Sequence, residues 1–260
     1  MLVSKEVVLT YTNAAGASLS MAFFQPFFLL GCTEKLQNNI SSEKGVNRNG
    51  EILTNMGADA RNIEITGYIN AASGRRAMEG TLKSVFNIGA PGTLEYYNTK
   101  ELKRYRIACY AEAVPDVVFT NMRTDFTINL KCLDPYWYGE ELALAVPQYS
   151  LTFNNAGDSP AGVVFEIIGS AVSPKVSNAK GESLCFMNTL ASQTLRITSM
   201  PENAYVELDG AGAMQYLTDA VNRRFFMLDI GQNTISYGAD SGASGLSVTI
   251  KYRPRYLGAF

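Results

Sequence analysis

The order of apolar and polar residues predicts a protein built mainly from short β-strands. Within residues 61–69, for example, Ile63 and Ile65 lie two positions apart with polar residues on either side. Side chains two positions apart share one face of a strand, so this period is typical of a sheet with one buried face. In the first half of the chain we predict strands at residues 7–12, 18–24, 61–69, 93–97, 103–113 and 124–133.

One segment of the first half has a helical period instead. The apolar residues that would share one face of this helix are Met78, Leu82, Val85 and Phe86. Ser73 is placed to cap the start of the helix, and Gly89 is placed to end it. Such an apolar stripe is typical of a helix packed on a core, so the first half is predicted to be a sheet with one helix.

Residues 36–62 separate two of the predicted strands and are rich in Asn, Ser, Gly and charged residues. A structureless connection of this length is uncommon in a compact domain unless it has a function. Two interpretations stay open. The segment is either a hairpin arm that reaches a neighbouring subunit or a mobile surface loop.

The second half of the chain has closely spaced strand signals with turn residues between them. Strands are predicted at residues 151–153, 162–168, 183–187, 194–198, 204–208, 224–230, 233–236 and 246–252. A turn or two of helix is predicted around Met214, Leu217 and Val221. Short strands punctuated in this way favour an antiparallel β-sandwich.

Residues 132–138, between the two halves, contain the only tryptophan of the chain. Pro135 cannot donate to a sheet ladder, so the preceding strand is predicted to end here and a hinge to follow. Tyr136, Trp137 and Tyr138 then need a surface to bury against. We expect a packed seam between domains, and the alternative is an exposed platform for stacking on a sugar.

Length and composition limit the possible functions. A chain of 260 residues favours two domains, here residues 1–135 and 136–260. A net charge of −2 gives no electrostatic footprint for specific nucleic-acid binding. The longest apolar run, residues 21–31, is too short to cross a membrane, so no membrane partner is expected.

The residue types predict no enzymatic chemistry. The chain has no histidine, which removes the commonest general base and zinc ligand, and its four cysteines lack metal-ligand spacing. They are expected to be buried free thiols of a protein that folds in a reducing cytoplasm. No catalytic, cofactor-binding or metal-binding residue is therefore predicted.

Three weaker signals keep other functions open. A glycosidase would need two facing carboxylates, for which Glu207, Asp209 and Asp229 are candidates, although Asp209 before a glycine suits a turn. A sugar-binding module would need exposed rings, for which the candidates are Tyr205, Tyr216 and Tyr237. The basic cluster Lys103, Arg104 and Arg106 suits a solvated or inter-subunit strand face better than a nucleic-acid contact.

Several separated segments resemble the distal tail proteins of long-tailed, non-contractile bacteriophages. The segments that carry the resemblance are 61–67 (RNIEITG), 126–138 (FTINLKCLDPYWY), 153–157 (FNNAG), 166–169 (EIIG), 226–233 (FMLDIGQN) and 251–258 (KYRPRYLG). None is a chemical signature, but their order extends over nearly the whole chain.

The resemblance implies a fold and a function. The first domain would assemble into a hexameric ring, and the second would be a galectin-like antiparallel β-sandwich that faces outward. The ring would join the tail tube protein to tail-tip or baseplate proteins, with tape measure and receptor-binding proteins as further partners. The protein would be a structural, non-enzymatic part of the virion, assembled in the bacterial cytoplasm. The alternative is a lectin-like module that attaches to host carbohydrate. Larger family members carry inserted carbohydrate-binding modules, whereas the second half of this chain is filled by its own predicted strands.

Overall fold

The computed structural model describes residues 5–44, 49–70, 74–120, 123–200, 203–217 and 225–259. The chain up to Tyr138, with the C-terminal segment from Leu257, forms one compact unit, and Gly139–Tyr256 forms a second. The sequence places its domain boundary a few residues earlier, between residues 135 and 136.

The described part of the first unit contains eleven strands and one helix. The strands are β1 (Val7–Asn13), β2 (Ser18–Ala22), β3 (Phe27–Lys35), β4 (Asn38–Glu43), β5 (Ile52–Ala58), β6 (Arg61–Ile69), β7 (Pro91–Asn98), β8 (Lys103–Ala111), β9 (Asp116–Phe119), β10 (Thr124–Cys132) and β11 (Trp137–Tyr138), and the helix is α1 (Arg75–Val85).

Seven of these strands close into a barrel in the order β8-β7-β1-β2-β3-β6-β10. Closure occurs where β10 returns to β8 and Leu130 pairs with Ala111. The neighbours are antiparallel except β2 and β3, which share one parallel bridge between Ala22 and Phe28. Strand β9 pairs with β10 outside the ring and is an edge strand.

The alternation of residues explains how these strands bury one face. In β6, Ile63, Ile65 and Ile69 are buried, whereas Asn62, Glu64, Thr66 and Tyr68, which alternate with the inward residues, are exposed or half-buried. Gly67 lies on the same inward face, where a Cβ would come within 2.4 Å of the Phe126 ring. The barrel interior is therefore a packed core in which Gly67 has room only for hydrogen.

Helix α1 packs on this barrel through the face that the sequence predicts. Leu82, Val85 and Phe86 are buried, and the Phe86 ring stacks on Tyr11 at 4.3 Å between centroids. The helix follows Gly74, whose φ of 77° is left-handed. The predicted cap, Ser73, lies outside the described residues.

The second unit is built from two antiparallel sheets. Their strands are β12 (Leu142–Ala145), β13 (Ser150–Asn155), β14 (Val163–Val172), β15 (Lys175–Asn178), β16 (Ser183–Cys185), β17 (Thr189–Ser199), β18 (Tyr205–Leu208), β19 (Ala211–Gly212), β20 (Gly231–Gly238) and β21 (Ser247–Tyr252). The short strand β22 (Arg255–Tyr256) follows and belongs to neither sheet. The six-stranded sheet has the order β12-β21-β14-β17-β18-β19, and the four-stranded sheet has the order β13-β20-β15-β16. Their apolar inner faces form one core that includes Phe165, Phe186 and Ile235.

The prediction of a mainly β protein with one α-helix and a sandwich is confirmed for the described residues. The strand predicted at residues 224–230 is wrong where it is described, because residues 225–230 hold only an isolated bridge at Leu228. The Asn233 side chain explains this: its oxygen accepts from the Asp229 N–H and its amide donates to the Asp229 carbonyl, which bends the chain.

The remaining helical prediction is met by a short 3-10 helix, Met214–Tyr216, after which Leu217 is buried. Val221 and Arg224 lie outside the described residues. Among the residues that are described, no helix has the length and apolar character that a membrane crossing requires.

Candidate assembly interface

The segment predicted as an arm or a loop contains a two-stranded ribbon. Strands β4 and β5 pair with each other and with no other strand in the described structure, and every residue of both strands is exposed. A hydrogen bond from the Asp59 N–H to the Gln37 carbonyl, 2.9 Å long, closes the base of the ribbon. The hairpin is thus confirmed, whereas its contact with a neighbouring subunit stays a prediction.

A β-bulge gives the ribbon one apolar face. Ile40 opposes Met56 and Ser41 opposes Asn55, but Ser42 opposes Leu53, so Thr54 is the extra residue. Because side chains alternate between the faces of a strand, the extra residue moves Leu53 to the face that already carries Ile40 and Met56. Ile40 is 60% exposed, Leu53 is 55% exposed and Met56 is 65% exposed.

The opposite face of the ribbon is mostly polar. Asn39, Ser41, Glu43 and Asn55 lie on it, since they alternate with the apolar set, and Ile52 is its one large apolar residue. The Thr54 hydroxyl donates to the Ser41 carbonyl at 2.9 Å, which fixes the bulge. The ribbon is therefore amphipathic although neither face is covered, a pattern that favours a docking element over a solvated loop.

A second exposed apolar surface lies on the outside of the barrel, which we call the aromatic row. It consists, in spatial order, of Phe24, Phe23, Phe28 and Tyr68, whose successive ring centroids lie 4.8, 4.6 and 4.5 Å apart. Phe24 is 82% exposed, and the other three are half-buried.

Two cations flank the aromatic row. The Lys5 ammonium lies 5.1 Å from the Phe23 ring centroid, and the Arg123 guanidinium lies 5.4 Å from that of Tyr68. Arg123 also pairs with Asp125 at 2.7 Å. A contiguous row of rings with a charged rim has the composition of a protein-binding surface.

The aromatic residues that follow Pro135 do not form a platform for a sugar around Trp137. Trp137 is fully buried, and its indole N–H donates to the Glu34 carboxylate at 3.0 Å. Tyr138 is half-buried, and its hydroxyl donates to Asp134 at 2.5 Å. The alternative in which Trp137 stacks on a sugar is therefore wrong, because neither face of its ring reaches solvent.

Trp137 belongs to a buried polar network centred on Arg61, which the sequence did not reveal. Arg61 is 1% exposed and forms an ion pair with Glu34. Its Nε donates to the Pro135 carbonyl at 2.7 Å, and its Nη2 donates to the Leu257 carbonyl. Burial lowers the pKa of Arg61. The network thus fixes two distant chain segments to the barrel.

A cavity of about 400 Å³ lies beside this network, within the first unit. Its lining is Cys32, Thr33, Glu34, Leu36, Arg61, Leu257 and Gly258. Neither here nor in the rest of the described chain does a cluster of Cys, Asp or Glu side chains suit a metal ion.

The cysteines are free thiols in the structure. Cys32, Cys109 and Cys132 are buried, and burial raises the pKa of Cys32 to about 12. A hydrogen bond with Cys109 and burial raise the pKa of Cys132 as well. Thiols with raised pKa react slowly, which suits core packing.

The carboxylates proposed for a glycosidase have other roles. Asp209 accepts a hydrogen bond from the Thr194 N–H at 2.9 Å and has a left-handed φ of 49°, as expected of a turn residue. Asp229 pairs with Lys180 at 2.6 Å, and Glu207 lies opposite Arg196 across two strands. Nothing in these contacts brings two of the three together.

The basic cluster of the first unit lies on an exposed strand face, as expected. Arg106 pairs with Glu95 at 2.8 Å, and Arg104 lies 3.8 Å from the same carboxylate. Lys103 pairs with Glu101 at 2.9 Å. Acids thus accompany all three cations, which does not favour binding of phosphate groups.

The tyrosines proposed for sugar binding are only partly exposed. Tyr216 is 39% exposed and packs against Phe186 at 5.6 Å between ring centroids. Tyr205 is half-buried, and Tyr237 packs against the core beside Tyr149.

The two sheets of the second unit have different outer faces. On the four-stranded sheet, a row of serines crosses all four strands, namely Ser150, Ser236, Ser177 and Ser183. The six-stranded sheet instead carries an ionic row in which Lys251 pairs with Glu166, opposite Arg196. Neutral hydroxyl groups therefore distinguish one outer face from the other.

Comparison with known proteins shows what this chain is similar to. Residues 156–256 match the family described as siphovirus-type tail component, C-terminal domain. The second unit is therefore similar in sequence to the C-terminal domain of siphovirus-type tail components. No curated protein matches the sequence.

The whole chain also resembles a solved tail protein. It superposes on the SPP1 Dit protein, described as a paradigm of the hub adsorption apparatus in phages that infect Gram-positive bacteria, with a TM-score of 0.74 and 12% identity. The match covers 96% of this chain and 99% of that chain. The resemblance to siphophage distal tail proteins that the sequence indicated is confirmed.

Two assemblies are more remotely similar. A chain of the phage P2 baseplate in its activated conformation with Ca matches with a TM-score of 0.47 and 11% identity, covering 97% of this chain and 99% of that chain. The SPP1 tail tube matches with a TM-score of 0.35 and 16% identity, covering 54% and 80%. Likenesses this weak support no conclusion about the fold.

Proposed function

We propose that this protein is the distal tail subunit of a siphophage, and that its first domain assembles into a hexameric ring at the end of the tail tube. In this proposal residues 1–135 form the ring, and residues 136–260 form a galectin-like sandwich that faces outward. The ring connects the tail tube protein to tail-tip or baseplate proteins, and assembly takes place in the bacterial cytoplasm.

The exposed ribbon is the observation that carries this proposal. A ring needs a heterologous interface, in which one patch of a subunit meets a different patch of the next. A ribbon that projects from one end of the barrel and leaves three apolar side chains uncovered can supply one half of such an interface. Among the described strands β9 pairs only with β10, so its other edge offers a further surface for strand addition.

The mass of the purified protein in solution, measured by light scattering over a range of concentrations, tests the proposal. We expect a closed oligomer of six subunits, and images of negatively stained particles should show rings. A protein that remains monomeric at high concentration would contradict the proposal.

A ribbon deletion makes the test more specific. Joining Gln37 to Asp59 through two glycines removes the ribbon, and the closing hydrogen bond between these residues keeps β3 and β6 paired. We expect a folded monomer. The matched control replaces Asn39 and Asn55 of the polar face with serine and should leave the oligomer intact.

A second function, binding of host carbohydrate, is favoured by one observation. The serine row on the four-stranded sheet offers neutral donors and acceptors, which suit a polyhydroxylated ligand. Tyr149, 46% exposed, lies at the edge of this sheet. Titration of cell-wall polysaccharide against wild-type protein and Tyr149→Ala tests this function. Absence of binding to the wild type would reject the function, and equal binding of the variant would reject Tyr149 as part of the site.

A further inference from the structure

The ribbon and the aromatic row lie at opposite ends of the same strand pair. In the β3–β6 hairpin, Phe28 pairs with Tyr68 at one end and Lys35 pairs with Asn62 at the other, next to the base of the ribbon. At about 3.3 Å per residue, the two ends are roughly 23 Å apart. Phe24 and the apolar face of the ribbon are both exposed, so neither covers the other within one chain.

The exposed areas of the two surfaces are similar. From their exposed fractions, the apolar face of the ribbon and the aromatic row each present on the order of 300 Å², the size of a functional patch on a typical monomer. Together they would bury about 600 Å², roughly half of what a small specific interface needs. A contact of this size is too small to hold an isolated dimer, but it can contribute to a ring in which every subunit makes it twice.

The charges on the two surfaces are compatible. Lys5 and Arg123 make the rim of the aromatic row cationic, apart from the Asp125 that pairs with Arg123. The only charged residue within the two strands of the ribbon is the carboxylate of Glu43. The ribbon strands therefore bring no cation against the cationic rim, and like-charge repulsion does not oppose docking.

We propose that the apolar face of the ribbon of one subunit docks on the aromatic row of the next copy of this chain. Because the two surfaces lie at opposite ends of one hairpin, each subunit offers a ribbon at one end and receives a ribbon at the other. This is the head-to-tail geometry that closes into a ring when the rotation between subunits allows it. The inference rests on the proposed ring function and names the receiving surface.

Substitutions on the two surfaces test the docking. Phe24→Asp and Met56→Asp each place a charge on an exposed side chain, so both variants should fold with unchanged circular dichroism and thermal midpoint. We expect each to weaken subunit association at least tenfold, as measured by the concentration at which the oligomer dissociates. The control Asn39→Asp adds the same charge to the polar face of the ribbon and should have little effect.

Cross-linking between two differently marked copies tests the contact directly. In a Cys185→Ser background, which removes the half-buried thiol, Met56→Cys protein is mixed with Phe24→Cys protein and treated with oxidised glutathione. Two thiols then lose two protons and two electrons to the oxidant and form a disulfide. We expect a covalent dimer in the mixture and little of it in either protein alone.

The outcomes separate this inference from the proposed function. An oligomer that forms normally with Phe24→Asp and yields no cross-link in the mixture would overturn the docking and leave the ring standing. A wild-type protein that is monomeric at every concentration would overturn the ring itself. Loss of association in both charged variants, with a cross-link only in the mixture, would support the docking.

Discussion

The buried pair of Arg61 and Glu34 allows a quantitative prediction about the stability of the first unit. Replacing Arg61 with methionine keeps an apolar stem of similar length and removes the charge. The carboxylate of Glu34, with a side chain only 12% exposed, then keeps the Trp137 indole as a donor but loses its cation. The carbonyl groups of Pro135 and Leu257 lose their hydrogen bonds to the guanidinium as well.

The magnitude follows from the burial of the pair. Removing one partner of a buried ion pair typically costs about 3–5 kcal/mol, because the remaining charge stays desolvated and uncompensated. We expect Arg61→Met to lower the free energy of unfolding of the first unit by this amount. Glu34→Gln should cost about as much, since it leaves the Arg61 cation 1% exposed and without a counter-ion.

The double variant gives the sharper test. Arg61→Met combined with Glu34→Gln removes both charges, so its cost should fall below the sum of the single costs by at least about 2 kcal/mol. Urea unfolding followed by the fluorescence of Trp137, the only tryptophan, reports on this unit. Arg104→Met, at an exposed pair, is the control and should change stability by less than about 0.5 kcal/mol. A cost below about 1 kcal/mol for Arg61→Met, or additive single costs, would refute the reasoning.

Three other substitutions test single features of the first unit. Burial raises the pKa of Tyr11 to about 12, so its contribution to the free energy of unfolding should be full below pH 10 and should be lost as the pH rises through 12. In unfolding measured between pH 9 and 12, Tyr11→Phe should remove this loss. Gly67→Ala places a Cβ 2.3 Å from a backbone oxygen of β3 and should lower the free energy of unfolding in urea by about 1–3 kcal/mol. The control Gly80→Ala, in open space on α1, should raise it by up to about 1 kcal/mol. Equal effects of the two substitutions would contradict the packing argument. Trp137→Phe leaves Glu34 without its indole donor and should lower the thermal midpoint, and an unchanged midpoint would show that this hydrogen bond adds nothing.

The sequence predicted most strands because their burial is one-sided and local. The two-residue period that marks β6 is a property of consecutive residues, and it needs no knowledge of the partner strand. Closure of the barrel is different, since it depends on a pairing between Leu130 and Ala111 that no local pattern specifies. The strand predicted at residues 224–230 failed for a local reason, because the Asn233 side chain competes with the sheet for the backbone hydrogen bonds of Asp229.

The site was only partly predictable for a related reason. The length and polarity of residues 36–62 indicated an arm, but the face that carries its apolar residues depends on a bulge that the sequence does not mark. One signal for the buried network was present and missed: Arg61 lies two and four residues before Ile63 and Ile65, so it falls on the inward face of β6. An arginine at an inward position requires a buried partner, and Glu34 supplies it from the neighbouring strand.

The ribbon combines exposure with protection against unspecific association. An exposed apolar hairpin invites pairing with any other strand edge, and proteins limit this with short strands, bulges and polar residues. The ribbon has all three, since its strands are short, Thr54 interrupts their register, and asparagines occupy the opposite face. These features disfavour strand pairing along its edges but leave the apolar face of Ile40, Leu53 and Met56 available. A surface that resists edge pairing and still exposes a hydrophobic face is suited to side-chain docking on one complementary surface, as expected of a subunit that must join its neighbours in a fixed number.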